Sequence, residues 1–176
     1  RTPSVQTDIT TLAEGIEGAG MHLDFILFDD CYMSSVEVAY DLRYVTDYLI
    51  ACPTEIMAYG MPYADVGPEL LGEPDYEAVC SKFLDFYYQA KLLEEYPYGT
   101  IGVTRTSELD SLARVLRKIE AACDLDTSLR PALQRMDGYR PPIFYDLGDY
   151  VAALCTDTAL LSEFEGQLDR AVPYKA

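Results

Sequence analysis

The sequence predicts an α/β domain in which a mostly parallel sheet lies between helices. Two observations predict this class. Segments of helical and of strand type alternate over the first third of the 176 residues, and apolar residues make up 49% of the chain, enough for a sizeable core. Strands that alternate with helices are usually joined by right-handed crossovers, which pair the strands in parallel. A chain of this length suits one domain.

The first two predicted elements are a helix and a strand. Apolar residues recur at helical spacing over 10–19, and the glycines Gly18 and Gly20 end that pattern. The next apolar stretch, LDFILF at 23–28, is short and continuous, which is typical of a buried strand. Polar residues follow that strand directly, so its end is a candidate position for a functional site.

A second helix and a second strand follow. Ser34 is the predicted N-cap, and Glu37 three residues later completes a capping box for a helix that extends to about Val45. The apolar stretch 48–52 predicts the next strand, and Pro53 ends it.

The rest of the chain predicts a long loop and several further elements. Residues 58–75 contain three prolines and three glycines, which indicates a loop. Ser107 with Asp110 is the predicted cap of a strongly amphipathic helix. Helices are also predicted over 76–93 (after Asp75), 128–136, 147–155 and 157–170, and strands over 99–105 and from 172.

The charge balance limits the classes of partner. Thirteen Lys and Arg residues against 30 Asp and Glu residues give a net charge of −17. A nucleic-acid backbone would be repelled, whereas basic peptides or metal ions would be attracted. No apolar run approaches the roughly 20 residues that a membrane-spanning helix needs, so we expect no membrane span.

Five cysteines are present, and none forms a C-x-x-C motif. Most are expected to be small buried residues. Cys31 differs because it follows the first strand and precedes a predicted helix. A thiol at a helix N-terminus has a lowered pKa, which suits a nucleophile. Its position alone leaves a structural thiol open as well.

The neighbouring carboxylates allow another interpretation. Asp29 stands where a magnesium-dependent phosphoryl-transfer enzyme would have its aspartate nucleophile, but Cys31 occupies the position two residues later where a second Asp is needed. The second carboxylate is displaced to Asp30, and the magnesium alternative stays open on this evidence.

A catalytic thiol needs a base, and the chain has a single histidine, His22. His22 precedes the strand whose far end carries Cys31. Eight or nine extended residues span about 27 Å, so the imidazole faces the opposite edge of the sheet. If Cys31 is a nucleophile, its base must come from polypeptide outside this sequence.

The stretch LDFILFDDCYMSSVEVAYDLRYVTDYLIACPTEI, followed by GMPY at 60–63, resembles the clostripain family of cysteine peptidases. That family belongs to the clan of caspases, legumains and gingipains. The similarity lies in an apolar strand, an Asp-x-Cys motif, and then a Met and a Ser-Val-Glu-Val-Ala-Tyr helix. The resemblance implies a caspase-like fold. In it, 1–63 would be the C-terminal half of the catalytic core, and 64–176 would continue the same domain by a loop, a strand and helices.

The resemblance also implies roles for site residues. Cys31 matches the nucleophile, and Asp29 matches the acid that binds an Arg or Lys side chain of the substrate. Thr54 and Glu55 would contact substrate, because the segment after the neighbouring strand walls the same pocket in this clan. Asp30 stands where family members usually have a small residue, and an anion beside a thiol opposes thiolate formation unless it points away.

The resemblance implies a partner as well. The family's His-Gly motif lies upstream of the cysteine, and members are commonly cut between the two after a basic residue. The start at Arg1, without a Met, is therefore interpreted as a Cys-bearing light chain that needs a heavy chain with the histidine. Basic peptides or proteins are the expected substrates, and calcium is a possible cofactor without assigned ligands. The expected location is extracytoplasmic, in a bacterium. A non-catalytic binding subunit of the same fold is the main alternative.

Overall fold

A computed structural model describes residues 7–89, 98–123, 128 and 132–176 of the chain. The described residues form a four-stranded sheet flanked by helices on both faces. The strands are β1 (Leu23–Leu27), β2 (Thr46–Ala51), β3 (Gly102–Arg105) and β4 (Tyr174–Lys175). The helices are α1 (Ile9–Gly18), α2 (Val36–Leu42), α3 (Tyr63–Val66), α4 (Tyr76–Gln89), α5 (Leu109–Ala122), α6 (Leu147–Leu154) and α7 (Thr158–Ala171).

The strands lie in the order β1-β2-β3-β4, and the sheet is mixed. β1 and β2 run parallel, as the helix–strand alternation predicts, whereas β3 is antiparallel to both β2 and β4. The crossover rule needs single helices alternating with strands, and that alternation stops after β2. Among the described residues, two α-helices lie between β2 and β3 and three lie between β3 and β4. The α/β class is confirmed, with parallel pairing confined to the first two described strands.

β2 is buried on both faces. Leu49 packs into a core with the helices α1, α2, α5, α6 and α7, and Ile50 packs into a second core with α3 and α4. Both side chains have no exposed surface. Successive side chains of a strand point to opposite faces, so one strand supplies both cores.

The start of α2 differs from the prediction by one residue. Ser35, not Ser34, is the N-cap, and its side chain accepts a hydrogen bond from the Val38 N–H at 3.3 Å. The reason lies outside the helix, because the Ser34 N–H donates to the Cys52 carbonyl at 3.2 Å. That bond holds Ser34 in the preceding loop, and the predicted capping box of Ser34 and Glu37 does not form.

The predicted cap of α5 was also wrong. A short 3-10 helix, Thr106–Glu108, precedes α5, and no side chain caps the helix. Thr106 is buried and its hydroxyl donates to the Asp47 carbonyl of β2 at 3.1 Å. This contact draws the chain against β2 and leaves Ser107 without the capping role.

Other elements follow the prediction more closely. The predicted helices over 10–19, 147–155 and 157–170 correspond to α1, α6 and α7, and the strand from 172 corresponds to β4. α4 begins after Asp75, whose side chain accepts from the Ala78 N–H at 2.9 Å, and the predicted stretch beyond residue 89 lies outside the described residues. The described part of 128–136 has no α-helix, and the predicted loop 58–75 contains α3 and a 3-10 helix, Gly67–Leu70. None of the described helices has the length and apolar character for a membrane crossing.

The burial of β2 on both faces leads to a stability prediction. Leu49→Ala and Ile50→Ala each remove a fully buried side chain from a different core, and each should lower the free energy of unfolding by about 2–5 kcal/mol. Urea titration followed by circular dichroism measures the loss. Asp24→Ala, an exposed position of β1, is the matched control and should stay within about 0.5 kcal/mol. A small loss at only one of the two core positions would contradict a β2 that is buried on both faces.

Candidate active site

The carboxyl ends of β1 and β2 bring the candidate residues together. Beyond β1, the Phe28 N–H still donates to the Ile50 carbonyl at 3.0 Å, and the chain then leaves the sheet at Asp29. Parallel neighbours end at the same edge of a sheet, so the loop after β1 lies beside the segment after β2. Cys31 is therefore placed next to the segment that contains Thr54.

Hydrogen bonds between the two segments fix the loop around Cys31. The Tyr32 N–H donates to the Thr54 carbonyl at 3.0 Å, and the Cys31 Sγ lies 3.7 Å from the Ile56 carbonyl oxygen. Tyr32 has a φ of 62°, in the left-handed region that non-glycine residues rarely adopt. Such strain persists only where surrounding contacts impose it, and it occurs often at functional sites. The half-buried thiol is thus presented by a loop with little freedom.

Aromatic side chains form a wall beside the cysteine. The Tyr32 ring stacks on Phe144 with centroids 4.6 Å apart and planes at 3°, and Tyr139 lies 5.9 Å from Tyr32. Burial and the nearby charge of Glu55 raise the pKa of Tyr32 to about 12. The phenol is therefore neutral at physiological pH and serves as a packing group.

Asp137 holds this aromatic wall in place. Its carboxylate accepts hydrogen bonds from the backbone N–H groups of Tyr139, Ile143 and Phe144 at 2.8, 2.8 and 2.5 Å. Desolvation opposes the charged form, but these three donors outweigh it and lower the pKa of Asp137. The loop that contacts Tyr32 is thus organised around one carboxylate.

Asp29 is held by the loop that carries the GMPY sequence. Its Oδ1 accepts a hydrogen bond from the Met61 N–H at 2.8 Å, while the side chain stays exposed. Gly60 has a φ of 66°, and a Cβ there would lie 2.9 Å from both carboxylate oxygens of Asp29. The Tyr87 hydroxyl donates to the Gly60 carbonyl at 2.7 Å and fixes the loop from below. Partial burial and a hydrogen bond to Asp29 raise the pKa of Tyr63.

Asp30 points in a different direction from Asp29. Its Oδ1 accepts a hydrogen bond from the Cys31 N–H at 2.8 Å, so the carboxylate folds back over the backbone of the cysteine. The two adjacent carboxylates therefore serve different partners, one on the 60–63 loop and one on the cysteine itself.

Thr54 and Glu55 lie on the segment after β2. The Thr54 hydroxyl shares a hydrogen bond of 2.6 Å with the Thr100 hydroxyl, which ties the segment to the chain before β3. Glu55 is exposed, and its charge acts on the Tyr32 phenol. The structure thus brings both residues near the Cys31 loop. The Thr54 side chain has a packing partner, whereas the Glu55 carboxylate faces solvent.

His22 lies at the other end of the sheet. Its ring nitrogens contact the Tyr44 carbonyl at 3.2 Å and the Asp47 carboxylate at 2.9 Å, beside the first residues of β1 and β2. The Asp47 hydrogen bond raises the pKa of His22. The whole of β1 separates this imidazole from Cys31, so His22 is not its base.

Two further features of the molecule bear on its chemistry. A cleft of about 780 Å³ between α2, α5 and α6 includes Ser34 and Phe144 in its wall, but neither Cys31 nor Asp29. Within the described part of the chain, no three His, Cys, Asp or Glu side chains form a group that could hold a metal ion.

Sequence reasoning missed several residues of this region. Met61, Tyr63 and Tyr87 support Asp29, and Asp137 with Phe144 supports the residue after Cys31. The GMPY sequence was a signal for the first group, because a glycine in that segment indicates a close approach of backbone. The second group gave no signal near Cys31, because its link to the cysteine loop, the stack of Tyr32 on Phe144, joins positions more than 100 residues apart.

Comparison with known proteins identifies the family. The profile of the clostripain family matches residues 5–141. A clostripain from Bacteroides thetaiotaomicron, solved in complex with the peptide inhibitor BTN-VLTK-AOMK, is 52% identical, with a TM-score of 0.94 over 99% of this chain and 77% of that one. A secreted C11 cysteine protease from the same organism is 54% identical, with a TM-score of 0.93 over 97% of this chain and 48% of that one.

A third similar structure is an inactive zymogen C11 protease from Parabacteroides distasonis. It is 35% identical, with a TM-score of 0.82 over 96% of this chain and 48% of that chain. This chain thus spans about half the length of two of these three relatives. No match was found among curated proteins. The profile match covers well over half of the chain, and the identities far exceed those of a shared fold alone. The chain therefore belongs to the clostripain family of cysteine peptidases.

Proposed function

We propose that this chain supplies the nucleophile and the substrate-binding acid of a cysteine endopeptidase that cleaves after Arg or Lys. One observation carries the proposal. The half-buried Cys31 thiol lies at the carboxyl edge of the sheet, and the exposed Asp29 carboxylate two residues earlier is oriented by the Met61 N–H. A nucleophile and a fixed anion at one loop match the needs of cleavage beside a cationic side chain.

The proposed reaction is acyl transfer through a thioester. The Cys31 sulfur attacks the carbonyl carbon of the substrate, and the leaving amine takes a proton from an imidazolium group. Water then attacks the thioester and releases the carboxylate product and the thiol. The backbone N–H of Cys31 is the donor on this chain that would stabilise the oxyanion.

Asp29 is proposed to select the substrate cation. Its carboxylate accepts hydrogen bonds from the Met61 N–H and from Tyr63, but the side chain is exposed and a carboxylate has further lone pairs that can accept from a guanidinium or an ammonium group. The net charge of −17 also favours approach of basic substrates. The inhibitor bound by the 52% identical clostripain ends in lysine before its reactive group, which supports a basic preference.

The histidine is proposed to come from a heavy chain that pairs with β1. Among the described strands, β1 pairs only with β2, which leaves its other edge open. Phe25 and Ile26 of β1 are half-buried and contact the two cores, one on each face. An apolar strand with an unpaired edge is a template for a further strand. A strand added there would run beside the loop that carries Cys31.

The location and the maturation of the protein are further parts of the proposal. A secreted relative with 54% identity supports an extracytoplasmic location. Cleavage after a basic residue between the histidine and the cysteine would separate the two chains, and the proposed specificity would allow the enzyme to perform that cut itself. Calcium, which the family resemblance implies, has no assigned ligands and enters no step of the proposed reaction.

One observation favours the alternative of a non-catalytic binding subunit. Among the described residues no imidazole approaches Cys31, so this chain alone has no base for the thiol. Covalent labelling distinguishes the two functions, because an acyloxymethyl ketone directed by lysine reacts only at an activated thiol. A protein that binds basic peptides without being labelled would be the binding subunit.

Cys31→Ala in the complete two-chain protein should abolish hydrolysis of Lys or Arg peptide substrates, by at least a thousandfold in kcat, with an unchanged fold. Mass spectrometry of the wild type treated with a lysine acyloxymethyl ketone should find the label on Cys31 alone. Cys52 and Cys80 are internal controls, because burial raises their pKa values to about 12 and about 11 and keeps them as thiols. Full activity of the Cys31→Ala protein would overturn the assignment.

Asp29→Asn keeps the shape and the bond from Met61 but removes the charge that would bind the substrate cation. We expect kcat/KM for Lys and Arg substrates to fall by roughly ten- to a hundredfold, mainly through KM, since a charge-assisted contact is lost. Steady-state kinetics measure the effect. Matched peptides with Gln before the cleaved bond are the control and should change less than threefold. An equal loss on both substrate sets would instead indicate a general structural role.

Gly60→Ala should impair substrate binding by displacing the Asp29 carboxylate. The added Cβ would lie 2.9 Å from both Asp29 carboxylate oxygens, so the carboxylate must move, and KM for basic substrates should rise about tenfold or more. Gly72→Ala is the matched control, because Gly72 also has a positive φ of 83° but no atom within 4 Å of its added Cβ. Both variants should lose roughly 1 kcal/mol of stability from backbone strain. Equal KM values in the two variants would contradict the role of Gly60.

A further inference from the structure

The backbone N–H groups of the nucleophile loop have three different acceptors. The Tyr32 N–H donates to the Thr54 carbonyl and the Ser34 N–H donates to the Cys52 carbonyl, at 3.0 and 3.2 Å. Both of these acceptors belong to the fixed segment after β2. The Cys31 N–H donates instead to the carboxylate of Asp30 at 2.8 Å. Of these three donors, only the one at the nucleophile is satisfied by a side chain.

A carboxylate on an exposed side chain can rotate away from the N–H group from which it accepts a hydrogen bond. Asp30 is exposed, and its neighbour Asp29 is already bonded to Met61, so the two carboxylates do not hold each other in place. Rotation about the side-chain torsions of Asp30 would free the Cys31 N–H without moving the backbone. The loop itself is fixed by the bonds of Tyr32 and Ser34.

We propose that Asp30 is a rate-setting residue of the peptidase, because its carboxylate occupies the Cys31 N–H and must leave before that group can bind the oxyanion. This inference rests on the proposed function, in which the Cys31 N–H is an oxyanion donor. A single N–H cannot serve two anions, and a carboxylate left beside the developing oxyanion would repel it. Each turnover therefore includes the rupture of a charge-assisted hydrogen bond.

Two substitutions separate the hydrogen bond from the charge. Asp30→Ala removes both the acceptor and the charge, whereas Asp30→Asn removes the charge and keeps a carbonyl oxygen in the place of Oδ1. Any benefit from removing an anion next to the thiol is common to both variants. The ratio of the kcat values of the two variants therefore measures the effect of the occupied Cys31 N–H alone. Asp30 is exposed, so neither change removes core packing.

The experiment uses the complete peptidase with its histidine-bearing chain. We expect Asp30→Ala to raise kcat on lysine peptide amides about five- to twentyfold, with KM within twofold, and Asp30→Asn to reach less than a third of that gain. A peptide aldehyde ending in lysine forms an adduct that needs the oxyanion donor. Its inhibition constant should therefore fall most in Asp30→Ala and less in Asp30→Asn. Inactivation by iodoacetamide needs the thiolate but no oxyanion donor, and its rate should be equal in the two variants.

Two results would overturn the inference, and they differ from failure of the proposed function. If Asp30→Ala and Asp30→Asn have equal kcat values, the effect is one of charge, and the hydrogen bond to Cys31 sets no rate. If Asp30→Ala is slower than the wild type while Cys31→Ala is inactive, Asp30 supports the site rather than occupying it. Activity that persists in Cys31→Ala would instead overturn the proposed function, and the role of Asp30 with it.

Discussion

The hydrogen bonds that continue beyond β1 and β2 control the geometry of the candidate site. Parallel pairing ends formally at Leu27, but the bond from Phe28 to Ile50 is followed by those from Tyr32 and Ser34 to the segment after β2. These bonds hold the Cys31 loop against a fixed support and leave Tyr32 in a left-handed conformation. They also explain why α2 begins only after Ser34. The position of the Cys31 thiol is therefore set by these hydrogen bonds and not by the start of α2, whose N-cap is Ser35.

Asp29 and Asp30 show how two identical side chains acquire opposite roles within one loop. Asp29 is directed away from the cysteine by the Met61 N–H, and that contact requires a glycine at position 60, since any Cβ there would meet the carboxylate. Among the described residues Asp30 has no comparable partner, and its carboxylate accepts from the adjacent Cys31 N–H. The different orientations of the two carboxylates therefore depend on a segment 30 residues further along the chain.

The sequence predicted those features that depend on local patterns. α1, α6 and α7 follow from apolar periodicity with clear end signals, and the location of Asp29 and Cys31 beyond β1 follows from the buried strand before them, whereas their proposed roles come from the family resemblance. Errors arose where a tertiary bond outweighed a local preference, as at Ser34. The stack of Tyr32 on Phe144 left no trace in the sequence, because it joins two segments that are each unremarkable alone. The hydrogen bond from the Tyr87 hydroxyl to the Gly60 carbonyl also left no trace in the sequence. The apolar pattern of α4 predicts that the helix packs on the core, but it does not predict this bond.

Under the proposed function, a single added strand would both pair with the second edge of β1 and bring the histidine that Cys31 needs. β1 carries the Cys31 loop at its carboxyl end, and among the described strands it pairs on one edge only, so another strand could add at the second edge. A strand that pairs there completes the sheet, and residues beyond its end emerge at the same edge as Cys31 if it runs parallel to β1. Completion of the sheet and assembly of the catalytic pair would then be a single event. Since the apolar side chains Phe25 and Ile26 contact the cores on both faces of β1, that event also protects the interior from water. Selection on stability and selection on activity would act on the same strand pairing, and a peptidase built in this way has no active thiol until its fold is complete.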